Sequence, residues 1–222
     1  MTRRSRFPFK PTDLKPTYEK LTALAADISK RTPQQRLARL SQLAHFIAEQ
    51  PRHEPVNIMF ICTHNSRRSH IAQIWAQIAA AEHGLTHVQT FSGGTEQTRF
   101  EDRAIRALEH MGLSFEKQSD QASNPVYRVT ASGTTQLPMA YSKTIEDASN
   151  PTSDFAAIMT CEEADEACPM VRGANYRLAL PYLDPKRSDD TPQESATYQE
   201  RCWEIATEMW WVMSEAAAMQ LA

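Results

Sequence analysis

The sequence predicts an α/β fold, a central parallel sheet flanked by helices with an N-terminal helical hairpin in front of it. Three observations carry that expectation. Short apolar runs bounded by Pro or Gly alternate with segments of 3.6-residue periodicity, the pattern of strands connected by covering helices. The run Val56-Asn57-Ile58-Met59-Phe60-Ile61 after Pro55 is almost wholly apolar, as a strand buried on both faces must be. Residues 1–54, by contrast, carry helical stripes alone.

The elements follow in order. Residues 1–12 place Arg3, Arg4, Arg6 and Lys10 beside two prolines and predict no regular element. Near 16–30, Leu21, Leu24, Ala25 and Ile28 share a helical face. Thr32 as N-cap and Pro33 at the first helical position then open a second helix with Leu37, Leu40, Leu43 and Ile47 on its stripe, and Pro51 ends it. This hairpin reads as a packed appendage or a partner-docking element. After the 56–61 strand, a helix is expected from Arg68 to Ala81, a strand at His87–Phe91, a glycine turn at Gly93-Gly94 and a helix near Asp102–Met111. Residues 122–153, with Asn124-Pro125, Ser132-Gly133 and Asn150-Pro151, break the rhythm and predict a surface hairpin or lid. A strand at Phe155–Met159, another at Arg177–Leu180, a loop with Asp184-Pro185 and a long helix over Pro192–Met219 complete the chain. The division is therefore a helical extension at 1–54 and an α/β domain at 55–222 with an insertion at about 122–153.

Composition narrows the function. The 222 residues are 41% hydrophobic and 23% charged, enough to bury a core. Lys+Arg 24 against Asp+Glu 27 leaves a net charge of −3, without the basic excess of a nucleic-acid binder. No run approaches the roughly 18 apolar residues of a membrane span, and no apolar stretch follows Met1–Arg6 as in a secretory signal. Cys62, Cys161, Cys168 and Cys202 are too few to staple the fold and are expected as thiols in a reducing cytoplasm. No Cys-x2-Cys or paired His spacing suggests zinc.

The chemistry starts where the first strand ends. Cys62-Thr63-His64-Asn65-Ser66-Arg67-Arg68-Ser69 lies between a buried strand and a helix. A loop there can turn backbone N–H groups inward beside the positive helix end, making an anion cradle. Arg68, five residues after Cys62, offers a planar fork to two oxygens. An electropositive cradle favours the nucleophilic thiolate of Cys62, and Ser69 is placed to donate to it. Cys-x5-Arg alone is a weak signal; its flanking strand and helix, with Asn65-Ser66 inside, strengthen it.

Ile58–Ile61 followed by Cys62-Thr63-x-Asn65-Ser66-x-Arg68-Ser69 resembles the phosphate loop of low-molecular-weight protein tyrosine phosphatases and of the thioredoxin-coupled arsenate reductases built on that fold. The fold so implied is a low-molecular-weight phosphatase-like parallel sheet. The family usually has Gly at the place of His64, a departure that bears on loop geometry, and often Cys at the place of Arg67. The resemblance assigns oxyanion binding to Thr63, His64, Asn65, Ser66, Arg67 and Ser69, and makes Asp184 of Leu183-Asp184-Pro185 the acid that protonates the leaving oxygen.

Thr160-Cys161-Glu162-Glu163-Ala164-Asp165-Glu166-Ala167-Cys168-Pro169 is similar to the redox segment of the reductases. It implies arsenate reduction by a relay: Cys62 attacks arsenate, Cys161 attacks Cys62, Cys168 attacks Cys161, and thioredoxin reduces the resulting disulfide. Seven helical residues rise about 10.5 Å, so a Cys161–Cys168 bond requires the helix between them to open. The resemblance also raises a potassium ion at Asn65, Ser92 and Asp120, with Gln73 where the family often has Glu; no other cofactor is implied. Two readings stay open beside the reductase: a phosphatase needing only Cys62, Arg68 and Asp184, and a redox-regulated oxyanion-binding module. Cys202 reads as core.

Overall fold

The structure, a computed structural model, describes residues 13–119, 123–131 and 137–221. Four strands form the expected parallel sheet: β1 Val56–Cys62, β2 Val88–Gly94, β5 Phe155–Met159 and β6 Ala174–Ala179, in the order β2-β1-β5-β6. All three pairings are parallel, with Cys62 opposite Gly94 and Ile61 opposite Met159. A separate antiparallel pair joins β3 (Ser114–Lys117) to β4 (Tyr127–Thr130). The helices are α1 Lys15–Ala26, α2 Ile28–Arg31, α3 Gln34–Ala48, α4 Arg68–Glu82, α5 Asp102–His110, α6 Glu162–Ala167 and α7 Glu194–Met219, with a 3-10 turn at Pro185–Ser188.

β1 alternates between two cores. Ile58 and Phe60 enter the larger one, which takes Leu21 and Ile28 from α1 and α2, Leu40, Leu43 and Ile47 from α3, Trp75 from α4, and Met209 and Met213 from α7. Met59 and Ile61 face a smaller core with Met159, Cys161 and Ala164 of the short α6. The sheet's two covers are thus unequal. α7 packs against α1, α3, α4 and α5 and is the spine of the heavy side. Cys202 is fully buried there, and burial pushes its thiol up to about 12. Each large apolar side chain removed from water contributes about 1.5–3 kcal/mol, so the hairpin is integral to this core.

Several expected boundaries shift. The helix expected over 16–30 breaks at Asp27, and Pro33 precedes α3 rather than opening it. Gly93 and Gly94 make no turn; they are the last residues of β2. Close approach demands them, because a Cβ on Gly94 would lie 2.7 Å from the Thr63 carbonyl oxygen and 2.8 Å from the Asn65 nitrogen. Among the described residues, no helix is long and apolar enough to cross a membrane.

Candidate active site

The chain passes from the β2 side of β1 to its β5 side, so the carboxyl ends of β1 and β5 meet at the point where open α/β sheets place their sites. Cys62 ends β1 and is 4% exposed. Residues 63–67 then turn over into α4, whose first residue is Arg68. Outside partners hold the carbonyls of this turn. Thr63 O accepts from Glu96 N (2.8 Å) and Thr95 Oγ1 (3.1 Å), and Ser66 O from Glu101 N (3.0 Å). His64 O accepts from Ser142 Oγ (2.9 Å) and Thr98 Oγ1 (3.1 Å). Among the described residues, the N–H groups of 63–67 have no such partner and are available to an anion.

Asn65 is the hinge of the turn. Its φ of 42° is left-handed, which Asn tolerates better than most residues. The family's glycine at position 64 is therefore dispensable here, since the positive φ falls one residue later. Asn65 Nδ2 donates to Ser69 Oγ at 2.8 Å, and Ser69 Oγ lies 3.1 Å from Cys62 Sγ. The Ser69 proton is thereby directed at the sulfur. Asn65 Oδ1 accepts from Lys143 N at 3.0 Å. His64 sits at the rim, its ring 3.5 Å from the Glu96 carboxylate.

Both arginines converge on Asp184. Arg68 Nη1 donates to Tyr182 O (2.9 Å) and Nη2 to Asp184 Oδ2 (2.8 Å). Arg67 points inward, with Nε 2.9 Å from Asp184 Oδ1. Burial raises the Asp184 carboxyl, but Arg68, Arg67 and the Lys186 N–H outweigh it and hold it below the usual carboxylate range. Asp184 therefore occupies the same guanidinium fork that an oxyanion requires.

Cys161 comes beside the loop because Thr160 clasps β1, its N and Oγ1 donating to Ile61 O at 2.7 and 2.8 Å. Its Sγ lies 3.5 Å from Thr63 Oγ1 and accepts from Ala164 N at 3.4 Å as the N-cap of α6. Burial pushes this thiol up, against the pull of Thr63, the Ala164 N–H and Arg68. Cys168, half-buried, caps the other end of α6. Arg177 clamps that end: Nε donates to Cys168 O (3.1 Å), and Nη2 to Asp165 O (2.9 Å) and to the Asp165 carboxylate.

Asp120 of the suggested potassium set lies outside the described residues. Ser92 Oγ is buried and has no hydrogen-bond partner among the described residues, while both amide atoms of Asn65 are engaged by protein groups. Among the described residues, no cluster of three or more His, Cys, Asp or Glu could hold a metal ion.

Where it is described, the 122–153 region, expected as a surface hairpin or lid, carries an antiparallel bridge between Tyr127 and Ala140 and packs residues 142–143 against the anion loop. Ser142 N donates to Asn124 Oδ1 (3.1 Å), Asn124 Nδ2 returns a bond to Ser142 O (2.8 Å), and Lys143 O accepts from Gly94 N (2.9 Å). Its polar side chains are buried because the loop's carbonyls need donors, and no local motif announces that pairing. Buried Lys143 stands over the Tyr141 ring, 4.8 Å from its centroid.

The low molecular weight phosphotyrosine protein phosphatase family matches residues 57–131, about a third of the chain, from β1 through β4. That segment, which includes the Cys62–Ser69 loop, is similar to this family. Solved structures are similar at low identity. A low molecular weight phosphotyrosine phosphatase from Vibrio cholerae O395 is 14% identical over 75% of this chain and 94% of its own, with a TM-score of 0.44. An arginine phosphatase from Geobacillus stearothermophilus gives 17%, 75%, 96% and 0.48. A thioredoxin-dependent arsenate reductase from Corynebacterium glutamicum gives 17%, 86%, 80% and 0.37. No curated protein matches the chain by sequence. The choice among activities rests on the residues themselves.

Proposed function

We propose that the protein reduces arsenate to arsenite through Cys62, Cys161 and Cys168, with thioredoxin as reductant. The observation that carries this reading is the Cys161 thiol at the wall of the anion loop, 3.5 Å from Thr63 Oγ1 and one short helix from Cys168. In the first step the loop N–H groups and Arg68 bind the oxyanion, and the Cys62 thiolate attacks arsenic. An As–S bond forms and an As–O bond breaks, the oxygen leaving as water with the proton of Asp184. The incoming anion takes the Arg68 fork from Asp184, and the loss of that countercharge lets the carboxyl carry a proton.

Cys161, as thiolate, next attacks Cys62 Sγ. The S–S bond forms as As–S breaks, and the electron pair stays on arsenic, now arsenite. Cys168 then displaces Cys62 from Cys161, and the dithiol of thioredoxin reduces the Cys161–Cys168 disulfide by exchange. The relay uses no bound cofactor, and its free thiols suit a reducing cytoplasm.

The test is arsenate-dependent NADPH oxidation with thioredoxin and thioredoxin reductase. Turnover by the wild type, lost in both Cys62→Ser and Cys161→Ser, is the expected result. A second reading, phosphomonoester hydrolysis through a Cys62 phosphocysteine, is favoured by the phosphatase family match and needs only Cys62, Arg68 and Asp184. It takes first place if arsenate is not turned over and Cys161→Ser releases p-nitrophenol from its phosphate as fast as the wild type. Anion binding without either activity would leave the oxyanion-binding module.

A further inference from the structure

The N-terminal hairpin reaches the site. Arg36 of α3 donates through Nη1 to Pro181 O at 2.7 Å, and its guanidinium carbon lies 4.4 Å from the Tyr182 ring centroid. Its Nε and Nη2 pair with both Glu208 oxygens of α7, at 2.5 and 2.8 Å. Arg39, one turn on, donates to Ala179 O at 3.3 Å. Tyr182 O in turn receives Arg68, and Asp184 follows two residues later. The contacts thus run without a gap from α3 through residues 179–182 to the acid and the anion fork.

We propose that Arg36 is a positioning residue for Asp184, so that the helical extension is part of the catalytic apparatus rather than an appendage. The physical case is the geometry of the fork. A guanidinium can meet a carboxylate on one edge and a carbonyl on another while its face covers a ring. Arg36 does all three, and its side chain is 19% exposed against 5% for Glu208, so solvent screens the pair little. Residues 181–184 between β6 and the 3-10 turn are otherwise tied by Tyr182 N to Thr160 O at 3.1 Å, by the buried Tyr182 ring, by Arg67 and Arg68, and by the Lys186 and Arg187 N–H groups on Asp184, while Leu183 is 60% exposed. Arg36 is the tie that joins this backbone to α3 and, through Glu208, to α7.

The proposal rests on the acid role given to Asp184 above, and the experiment separates the two. Arg36→Gln and Arg36→Lys are compared with the wild type in the full chain. For whichever oxyanion substrate is turned over, arsenate or p-nitrophenyl phosphate, kcat is expected to fall about 10-fold in Arg36→Gln and less in Arg36→Lys, which still pairs with Glu208. Inhibition by inorganic phosphate should change less than twofold. In an Asp184→Asn background, Arg36→Gln should cost nothing further, because residues acting through one group are not additive. A full additional 10-fold loss there makes Arg36 merely structural and overturns the proposal. Amide hydrogen exchange is measured on the same proteins. Faster exchange at residues 182–186 in Arg36→Gln is expected whether or not either substrate is turned over, and unchanged exchange there overturns the brace on its own. A wild type inert toward both substrates overturns the proposed reaction, and the exchange result still decides the brace.

Discussion

The loop around Cys62 and the segment from Cys161 to Cys168 are built on opposite principles. Every loop carbonyl from Thr63 to Ser66 that has a partner takes it from a different part of the chain: residues 95–96, 98 and 142, and 101. α6 has six residues and is tied at its far end by Arg177. The loop must hold its N–H groups fixed before the anion arrives, since pre-oriented dipoles need no rearrangement during reaction. On the proposed relay the segment must open for Cys168 to reach Cys161, and of the α6 residues only Ala164 is buried. On that reading, rigidity lies where charge would develop and weakness where sulfur would travel.

The largest expected effect on that contrast is at its shared boundary, Asp184. Asp184→Asn removes the proposed acid, and turnover should fall by about 10²–10⁴-fold. The same change frees the Arg68 fork, so inorganic phosphate should inhibit several-fold more tightly; weaker inhibition would contradict the competition inferred from the 2.8 Å ion pair. On the rigid side, Asn65→Ala deletes the bonds to Ser69 and Lys143 and strains a left-handed φ. A loss of about 2–3 kcal/mol in urea unfolding is expected, and Asn65→Gly should recover the part due to φ.

His70 tests the ground behind the loop. It is fully buried, stacked 4.0 Å from Phe100, and burial with Lys143 nearby pulls its pKa down to about 3. A depressed pKa means the unfolded chain takes up a proton first, so stability present above pH 6.5 declines as pH falls toward 3. His70→Phe should therefore lose about 2 kcal/mol less than the wild type between pH 7 and pH 5. Parallel losses would show that His70 is not the group titrating. The smallest effect is on the weak side. Arg177→Gln should cost under about 1 kcal/mol, as part-exposed pairs do, yet speed oxidation to Cys161–Cys168 several-fold in a thiol-trapping time course. An unchanged rate would mean that the clamp does not limit opening.

The sequence made the loop legible because nucleophile, fork and flanking elements lie within a dozen residues. Asp184 was readable only beside Cys62, since Asp-Pro by itself signals a turn. What escaped was long-range polar pairing. Ser142 and Lys143 look like ordinary insertion residues until the His64 carbonyl and the Asn65 side chain are seen to need them. Gly93-Gly94 read as a turn because glycine's two uses, positive φ and close approach, look alike in sequence. Arg36 occupies the polar side of a helix whose apolar stripe was correctly read, and nothing local marks Pro181 as its partner. Core patterning is periodic and so survives without the fold, whereas each hydrogen bond across the sheet depends on the register that only folding provides.

The relay itself is tested most directly by a single turnover. The reduced protein is mixed with arsenate, with no thioredoxin or other reductant present, and the products are mapped by mass spectrometry. The account predicts one arsenite per chain, a Cys161–Cys168 disulfide and a free Cys62. Unchanged arsenate with all three cysteines still reduced would contradict it.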